Sequence, residues 1–308
     1  MTPGGASARR RAAEGHGLVD VARSFAVAAR LGWQMEANWT DPLLFFIYSV
    51  AKPVASALIL VVMLEVVGGA SSREYRGFVV VGSALWSFVT SGIGGLAVAV
   101  IEDRERFRTL KYIYISPSKF LVVLVGRGVA RIGIGVAGAL VTLLVGVTML
   151  AVPIDPARVD WPILLVDSVL GLGAIVALGV LMAAVCIQTR QESWNYPEAF
   201  ARAIFLLCGA VFPLAVLPVA AQVAGLLLPT TWWIAGVRAA LLPGGRDSVG
   251  GAGTAFAALL GHPVPTTGEV VLALLLTGAL ATLASLAVFR ASDRRAREAG
   301  LLDRTTGS

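Results

Sequence analysis

Long apolar runs separated by short polar segments dominate this sequence. Five of them lie at residues 43–67, 77–101, 120–152, 162–187 and 269–289. A helix needs roughly 20 apolar residues to cross about 30 Å of hydrocarbon, and each run reaches that length. The pattern therefore predicts an all-α integral membrane protein.

A further apolar stretch, between residues 199 and 242, is broken by prolines. One straight helix cannot hold three prolines without losing backbone hydrogen bonds, and free backbone groups at membrane depth must be buried in protein or line a cavity. We therefore predict a fifth span at residues 199–211, then a re-entrant outer hairpin before the sixth span. Trp232 and Trp233 on its second limb are suited to a membrane interface. The three prolines are Pro213, Pro218 and Pro229.

Both ends of the chain differ from this apolar domain, which covers residues 43–290. Residues 1–17 are small, polar and basic, which predicts a disordered cytoplasmic tail, and residues 291–308 form a second basic tail. Residues 18–42 contain an amphipathic helix that we expect to lie in the cytoplasmic membrane interface. The apolar side of that helix consists of Leu18, Ala22, Phe25, Ala29 and Trp33.

The distribution of basic residues predicts the orientation. With six spans and both termini in the cytoplasm, 19 of the 25 lysines and arginines fall in cytoplasmic segments and five fall outside. Positive charge retains loops in the cytoplasm, so this bias supports a plasma (inner) membrane protein with both ends inside. The remaining basic residue, Lys52, lies about two turns into the first span, where its role stays open.

Composition excludes several classes of protein. The chain is 57% hydrophobic and 14% charged, whereas soluble domains are about 45–50% apolar and 25% charged. The net charge of +6 comes from arginines that flank the spans, so it does not indicate nucleic-acid binding. Cys186 and Cys208 both lie in apolar runs, which predicts two buried thiols rather than a disulfide.

The residue patterns of a nucleotide, metal or hydrolytic site are missing from the sequence. A P-loop requires Gly-Lys before Ser or Thr, and none of the three lysines, Lys52, Lys111 and Lys119, follows a glycine. His16 and His262 are isolated, so we expect neither a metal site nor a hydrolytic triad. A proton-coupled transporter, a membrane enzyme and an assembly scaffold remain alternatives, although the membrane-embedded carboxylate or histidine pairs they would need are not apparent.

Residues 102–120, here called the charged loop, concentrate charge between two apolar runs. At helical spacing, Phe107, Leu110 and Tyr114 share one face, and the helix should end at the Ser116-Pro117 step. Such an apolar ridge, rimmed by Glu105, Arg106 and Arg108, predicts a short amphipathic helix that a partner protein can grip. The alternative is an ordinary solvated loop with positive-inside charge. The residues that form the ridge and end the helix are Phe107, Leu110, Tyr114, Ser116 and Pro117.

The charged loop resembles the first cytoplasmic loop of ABC-2 type exporter permeases, such as the daunorubicin-resistance and nodulation-factor exporters. That family carries a pattern like Glu…Gly-Thr-Leu-Glu…Ser-Pro. Here Glu105, Thr109-Leu110 and Ser116-Pro117 stand at matching spacing, while Arg108 and Lys111 replace the usual Gly and Glu.

The proline-containing part of the stretch between residues 199 and 242, here called the broken segment, resembles a second family pattern, Phe-Pro-x-x-x-Leu-Pro…Leu-Pro-x-Thr…x-Arg. Three prolines at fixed offsets with a downstream arginine make this match the more specific one. The residues that carry it are Phe212, Pro213, Leu217, Pro218, Pro229, Thr231 and Arg238. The hairpin that contains them, together with Trp232 and Trp233, is expected to act as an outer gate, with Arg238 meeting the lipid headgroups; a passive surface plug is the alternative.

The resemblance implies a permease that works with a separate ABC ATPase, two copies of each per transporter, as a homodimer or heterodimer. It also implies that the charged loop is the coupling helix that docks on the ATPase. ATP and Mg²⁺ would then bind the partner, with no cofactor on this chain. Because the span residues are mostly aliphatic, we expect a hydrophobic drug, antibiotic or lipid-like substrate, with a polysaccharide or glycolipid as the alternative.

Overall fold

The computed structural model describes residues 4–37, 42–68, 75–116, 118–189, 194–242 and 248–298. Within these ranges the regular structure is helical, without β-strands. In chain order the helices are α1 (Gly4–Ala37), α2 (Pro42–Gly68), α3 (Arg76–Glu105), α4 (Leu110–Ile115), α5 (Phe120–Met149), α6 (Trp161–Gln188), α7 (Asn195–Leu207), α8 (Val219–Leu226), α9 (Pro229–Leu241), α10 (Ala255–Leu260) and α11 (Thr267–Glu298).

Five helices in the described ranges, α2, α3, α5, α6 and α11, are long and apolar enough to cross a membrane. A sixth candidate is the pair α8 and α9, which together pass the same test but are bent by 82° at the break between them. The chain is therefore a multi-pass membrane protein, and the predicted spans at residues 43–67, 77–101, 120–152, 162–187 and 269–289 correspond to the five long helices.

The predicted fifth span is the part of the fold that differs. Helix α7 has 13 residues and reaches about 20 Å, short of the hydrocarbon thickness. It ends because Gly209 adopts a left-handed backbone with φ of +70°. The sixth candidate span is therefore the bent α8–α9 pair, downstream of the position that the sequence predicted.

Helix α1 also differs from expectation, because it begins at Gly4 where the sequence predicted a disordered tail. It packs along the first turns of α5, and small residues allow the close approach. A Cβ added at Gly126 would lie 2.8 Å from the Ala28 Cβ, and one added at Gly32 would lie 2.7 Å from the Arg127 carbonyl oxygen. Trp33, placed by the sequence on the apolar side, is 53% exposed and lies off this contact.

Helix α3 forms the centre of the bundle, in contact with α2, α5, α6, α7 and α9. Its apolar side chains are buried, several of them completely, so most of its surface faces protein rather than lipid. Gly95 lies against Arg131 of α5, where an added Cβ would sit 2.8 Å from the Arg131 Cβ. At the other end of the bundle, α9 is buried between α3, α6 and α11. The two predicted buried thiols, Cys186 and Cys208, are confirmed.

Candidate coupling loop and broken segment

The turn from α3 into the charged loop is built around a buried ion pair between Asp103 and Arg127 of α5. Thr109 completes it, because its hydroxyl donates to the Asp103 carboxylate at 2.9 Å and its amide donates to the Asp103 carbonyl at 2.8 Å. Arg108, inside this turn, has φ of +53°. That left-handed conformation favours glycine, the residue that the resembled family pattern has at this position.

Arg131, one turn further along α5, joins three helices. Its guanidinium binds Glu36 of α1 at 2.5 Å and Glu102 of α3 at 3.0 Å. All three side chains are largely shielded from solvent, at 15–21% exposure. Removing one member of such a cluster leaves an uncompensated charge, so the cluster holds α1, α3 and α5 in a fixed arrangement.

Arg104 ties the same turn to α6. Its guanidinium donates to the carbonyl oxygens of Cys186 at 3.0 Å and Thr189 at 2.8 Å, the last turn of α6 and its cap. It also binds Glu105 at 2.9 Å. The last carbonyls of a helix have no amide one turn further along to pair with, and a cation there complements the helix dipole. The charged loop is therefore anchored to the ends of two further helices besides its own.

The predicted apolar ridge of the loop faces the bundle. Leu110 is 2% exposed, and Tyr114 stacks on Phe120 with ring centroids 4.7 Å apart. Phe107 precedes α4 instead of lying on it, and it sits half-buried between the guanidinium groups of Arg106 at 5.3 Å and Arg127 at 5.8 Å. Leu110 is buried in the contact between the loop and the spans and does not offer its side chain to a partner, whereas a role of the partly exposed Phe107 and Tyr114 in docking stays a prediction.

The opposite face of α4 is the exposed one. Tyr112 is 65% exposed and Ile115 is 80% exposed, and at positions i and i+3 they lie side by side. Arg106 and Arg108, which precede α4, and Lys119, which follows it, are also exposed. We call Tyr112 and Ile115 with this basic rim the docking face.

The sequence reading missed Tyr112 and Ile115 because it started the helical period at Phe107. Starting it at Leu110 would have separated the two faces. Ser116 ends α4 as predicted, with its hydroxyl donating to the Ile113 carbonyl at 2.7 Å. Pro117 lies outside the described residues.

The broken segment, residues 208–242, is held by Arg238 of α9. This side chain is completely buried. It donates to the Gly209 carbonyl at 2.6 Å, to the Phe78 carbonyl of α3 at 2.9 Å, and to the Ala210 carbonyl. The Phe78 ring lies 3.5 Å from the guanidinium carbon. One side chain thus satisfies the backbone that the end of α7 leaves free.

The tryptophans of α9 are buried as well. The Trp232 indole donates to the Leu226 carbonyl at 2.8 Å, and the Thr231 hydroxyl donates to the Gly225 carbonyl at 2.7 Å, so α9 satisfies the last turn of α8. Trp233 packs against Gly171 of α6 and lies 5.3 Å from the Phe88 ring. The side chains of Trp232, Trp233 and Arg238 are all buried in protein. The expectations of an interfacial tryptophan pair and of Arg238 at the lipid headgroups are therefore wrong.

The prolines of the broken segment each start or stop a helix. Pro213 precedes a 3₁₀ turn at Leu214–Val216, Pro218 is the residue before α8, and Pro229 is the first residue of α9, a position that needs no backbone N–H. The Gln222 amide donates to the Leu217 carbonyl at 2.8 Å and accepts from the Ala255 amide at 2.7 Å, which attaches α8 to α10. Phe212 is half-buried.

Residues 27–242 match the family model of the ABC-2 type transporter. The chain belongs to this family. The matched range contains both the charged loop and the broken segment, so the resemblance inferred from the two motifs is confirmed at the level of the family. No curated protein matches the chain.

Membership of the ABC-2 family defines this chain as the permease subunit of an ABC-2 exporter, which works with a separate ATPase subunit. Within the permease, the two motifs lie in different environments. The loop residues Glu105, Arg106, Arg108 and Ser116 stay near its surface, whereas the motif residues Pro229, Thr231 and Arg238 are internal and hold the broken segment to α3, α7 and α8. The two motifs therefore mark different parts of the permease, a surface loop and an internal support.

Proposed function

We propose that the permease binds its ATPase through the docking face of the charged loop. The observation that supports this proposal is that α4 exposes one face and is fixed to the bundle by the other. Tyr112 and Ile115 are exposed side by side, while the inner face of the same short helix is buried against the bundle. An aromatic and an aliphatic side chain with a basic rim have the composition of an interface hot spot. The partner surface should be an apolar groove with acidic residues at its edge.

The attachment of the charged loop to the bundle explains how movement driven by ATP hydrolysis would be transmitted to the spans. Asp103, Arg104 and Arg131 connect the turn before α4 to α5, α6 and α1 through buried or shielded charges. A displacement of α4 by the ATPase would act on all of these helices together, because each connection costs several kcal/mol to leave uncompensated. A free loop with positive-inside charge would transmit nothing.

The broken segment is proposed to close the outer end of the pathway as a re-entrant gate. Its second limb, α9, is buried and held at Arg238, and we propose that α8, which exposes more of its surface, is the limb that moves. Val219, Val223 and Leu227 are exposed at spacing i, i+4, i+8, an apolar stripe suited to seal a pathway shared with a second permease subunit. If Arg238→Ala leaves export at the wild-type rate, the segment is a passive plug and the gate proposal fails.

The remaining parts of the assembly rest on the family and on the charge distribution. We propose two permeases and two ATPases, with ATP and Mg²⁺ on the ATPases. We further propose that α1 lies in the cytoplasmic interface, that both termini are cytoplasmic, and that the complex resides in the plasma membrane. An impermeant thiol reagent that labels Lys119→Cys in intact cells would contradict this orientation.

A hydrophobic drug, antibiotic or lipid-like molecule is the proposed substrate, on the basis of the aliphatic surfaces of the spans. A polysaccharide or glycolipid is the second candidate. Substrates stimulate the ATPase of their transporter, so ATP hydrolysis by the reconstituted complex can be compared with apolar cations, antibiotics and oligosaccharides. Stimulation by oligosaccharides alone would reverse the preference.

The docking proposal is tested with the double variant Tyr112→Ala/Ile115→Ala. Truncating two central hot-spot residues should cost at least about 2–4 kcal/mol of binding, a loss of roughly 30- to 1,000-fold in affinity for the ATPase. Co-purification of the tagged ATPase and its affinity in detergent are the measurements.

The matched control is Leu259→Ala, which removes a 73% exposed apolar side chain from α10, away from the charged loop. Unchanged ATPase affinity in the double variant would show that α4 is not the docking helix. Loss of affinity in both proteins would indicate a general effect on folding.

A further inference from the structure

Helix α11 continues well beyond its apolar part. It has 32 residues, about 48 Å of helix, and its last two turns are rich in arginine. This extension is packed instead of projecting freely. Ser292 is completely buried and its hydroxyl donates to the Ala184 carbonyl of α6 at 2.6 Å, and Ala296 is completely buried one turn later.

The extension lies against the coupling helix α4. Phe289 of α11 stacks on Phe120 at 5.7 Å, and Phe120 stacks on Tyr114 at 4.7 Å, so three aromatic rings connect α11 to α4. Arg297, two turns after Phe289, places its guanidinium 4.9 Å from the Tyr114 ring and binds Asp293 at 3.3 Å. Phe289, Asp293 and Arg297 are spaced by four residues and share one face of α11.

Tyr114 is also directed at Asp293. Burial and the neighbouring Asp293 carboxylate raise the pKa of the Tyr114 phenol, so the phenol stays protonated and available as a donor. The Tyr114 hydroxyl and one Asp293 oxygen are both buried without a satisfied hydrogen bond among the described residues. A hydrogen bond between these two groups would satisfy both, and buried polar groups are rarely left unpaired.

We propose that Tyr114, Asp293 and Arg297 form a second coupling contact, through which movement of α4 is passed to α11. Helix α11 packs against α9 elsewhere along its length, so the same helix contacts both the coupling loop and the limb held by Arg238. The proposal rests on the proposed docking of the ATPase on α4. It assigns Tyr114, Asp293 and Arg297 as positioning residues, because they contact one another between α4 and α11 and are not part of the docking face.

The test compares Arg297→Gln and Tyr114→Leu with wild type in the reconstituted complex with its ATPase. Tyr112 and Ile115 are untouched, so ATPase binding should persist. The aromatic and cation–π contacts are each worth a factor of about 2 to 10, and we expect transport per ATP hydrolysed to fall by about 3- to 10-fold. Tyr114→Phe keeps the ring stack and should fall less than Tyr114→Leu.

The matched control is Arg295→Gln, an exposed arginine on the opposite side of the same helix, and it should leave the ratio unchanged. The proposal is overturned if Arg297→Gln and Tyr114→Leu both bind the ATPase and keep the wild-type ratio. If the double variant Tyr112→Ala/Ile115→Ala binds the ATPase as tightly as wild type, the docking proposal is refuted instead. Because Arg297 is 57% exposed, its variant should fold even if Tyr114→Leu does not.

Discussion

Arg238 offers the sharpest perturbation of this structure, because one side chain connects α9, α3 and the end of α7. The variant Arg238→Ala removes three charge-assisted hydrogen bonds: it leaves the carbonyls of Gly209 and Ala210 buried without this donor and takes from the Phe78 carbonyl the bond it makes in addition to its helical one. Each orphaned acceptor costs about 1–3 kcal/mol, and relief of the buried charge offsets part of the sum. We expect a net local destabilisation of about 3–5 kcal/mol.

Cys208 reports this loss directly, because it precedes Gly209 and is 1% exposed. If labelling requires local opening, 3 kcal/mol corresponds to an increase of about 100-fold in the rate of reaction with a small maleimide. Cys186 is the internal control. It is also buried, but it lies in the last turn of α6, beside Arg104 and not beside Arg238. Its rate should stay within about threefold of wild type, a change of well under 1 kcal/mol.

A second variant separates charge from geometry. Arg238→Lys keeps the positive charge, but an ammonium cannot reproduce the fork that reaches carbonyls on two segments. Its Cys208 labelling should fall between wild type and Arg238→Ala. The reasoning is refuted if Cys208 stays as protected in Arg238→Ala as in wild type, or if Cys186 and Cys208 gain reactivity equally.

Two further predictions concern the charged loop. Arg108→Gly should raise the stability of the purified permease by about 1 kcal/mol, because glycine adopts φ of +53° without the steric cost paid by arginine, and a lowered thermal midpoint would contradict this. Arg131→Gln should lower stability by about 1–3 kcal/mol, because Glu36 and Glu102 lose their shared partner, whereas Arg202→Gln, which removes a 78% exposed ion pair on α7, should change it by less than about 0.5 kcal/mol. Equal effects of the two substitutions would contradict the role of the Arg131 cluster.

Much of the fold follows from local pattern. The five long helices appear where apolar runs exceed 20 residues, because a chain in lipid must satisfy its backbone internally. The break after α7 follows from Pro213 and Gly209, and the buried thiols follow from their apolar surroundings. These features depend on residues within one or two turns of each other, which a sequence displays directly.

The errors lie where the partner is distant in sequence. Arg238 binds carbonyls 28, 29 and 160 residues away, and nothing in its own surroundings distinguishes a buried carbonyl from a headgroup. Trp232 and Trp233 have the amphipathic character of interface residues, yet α6 and α8 supply an internal environment that suits them equally. The orientation of α4 differs from the prediction because the helix begins at Leu110, three residues after the start of the apolar pattern at Phe107.

The orientation of α4 also gives the most direct test of the coupling account. Single cysteines at Tyr112, Ile115 and Tyr114 are introduced in a background without Cys186 and Cys208, and their maleimide labelling is measured with and without the bound ATPase. The account predicts that cysteines at positions 112 and 115 react readily in the free permease and become protected by the ATPase, while position 114 reacts slowly in both states. Protection confined to position 114, with positions 112 and 115 reactive in the complex, would contradict it.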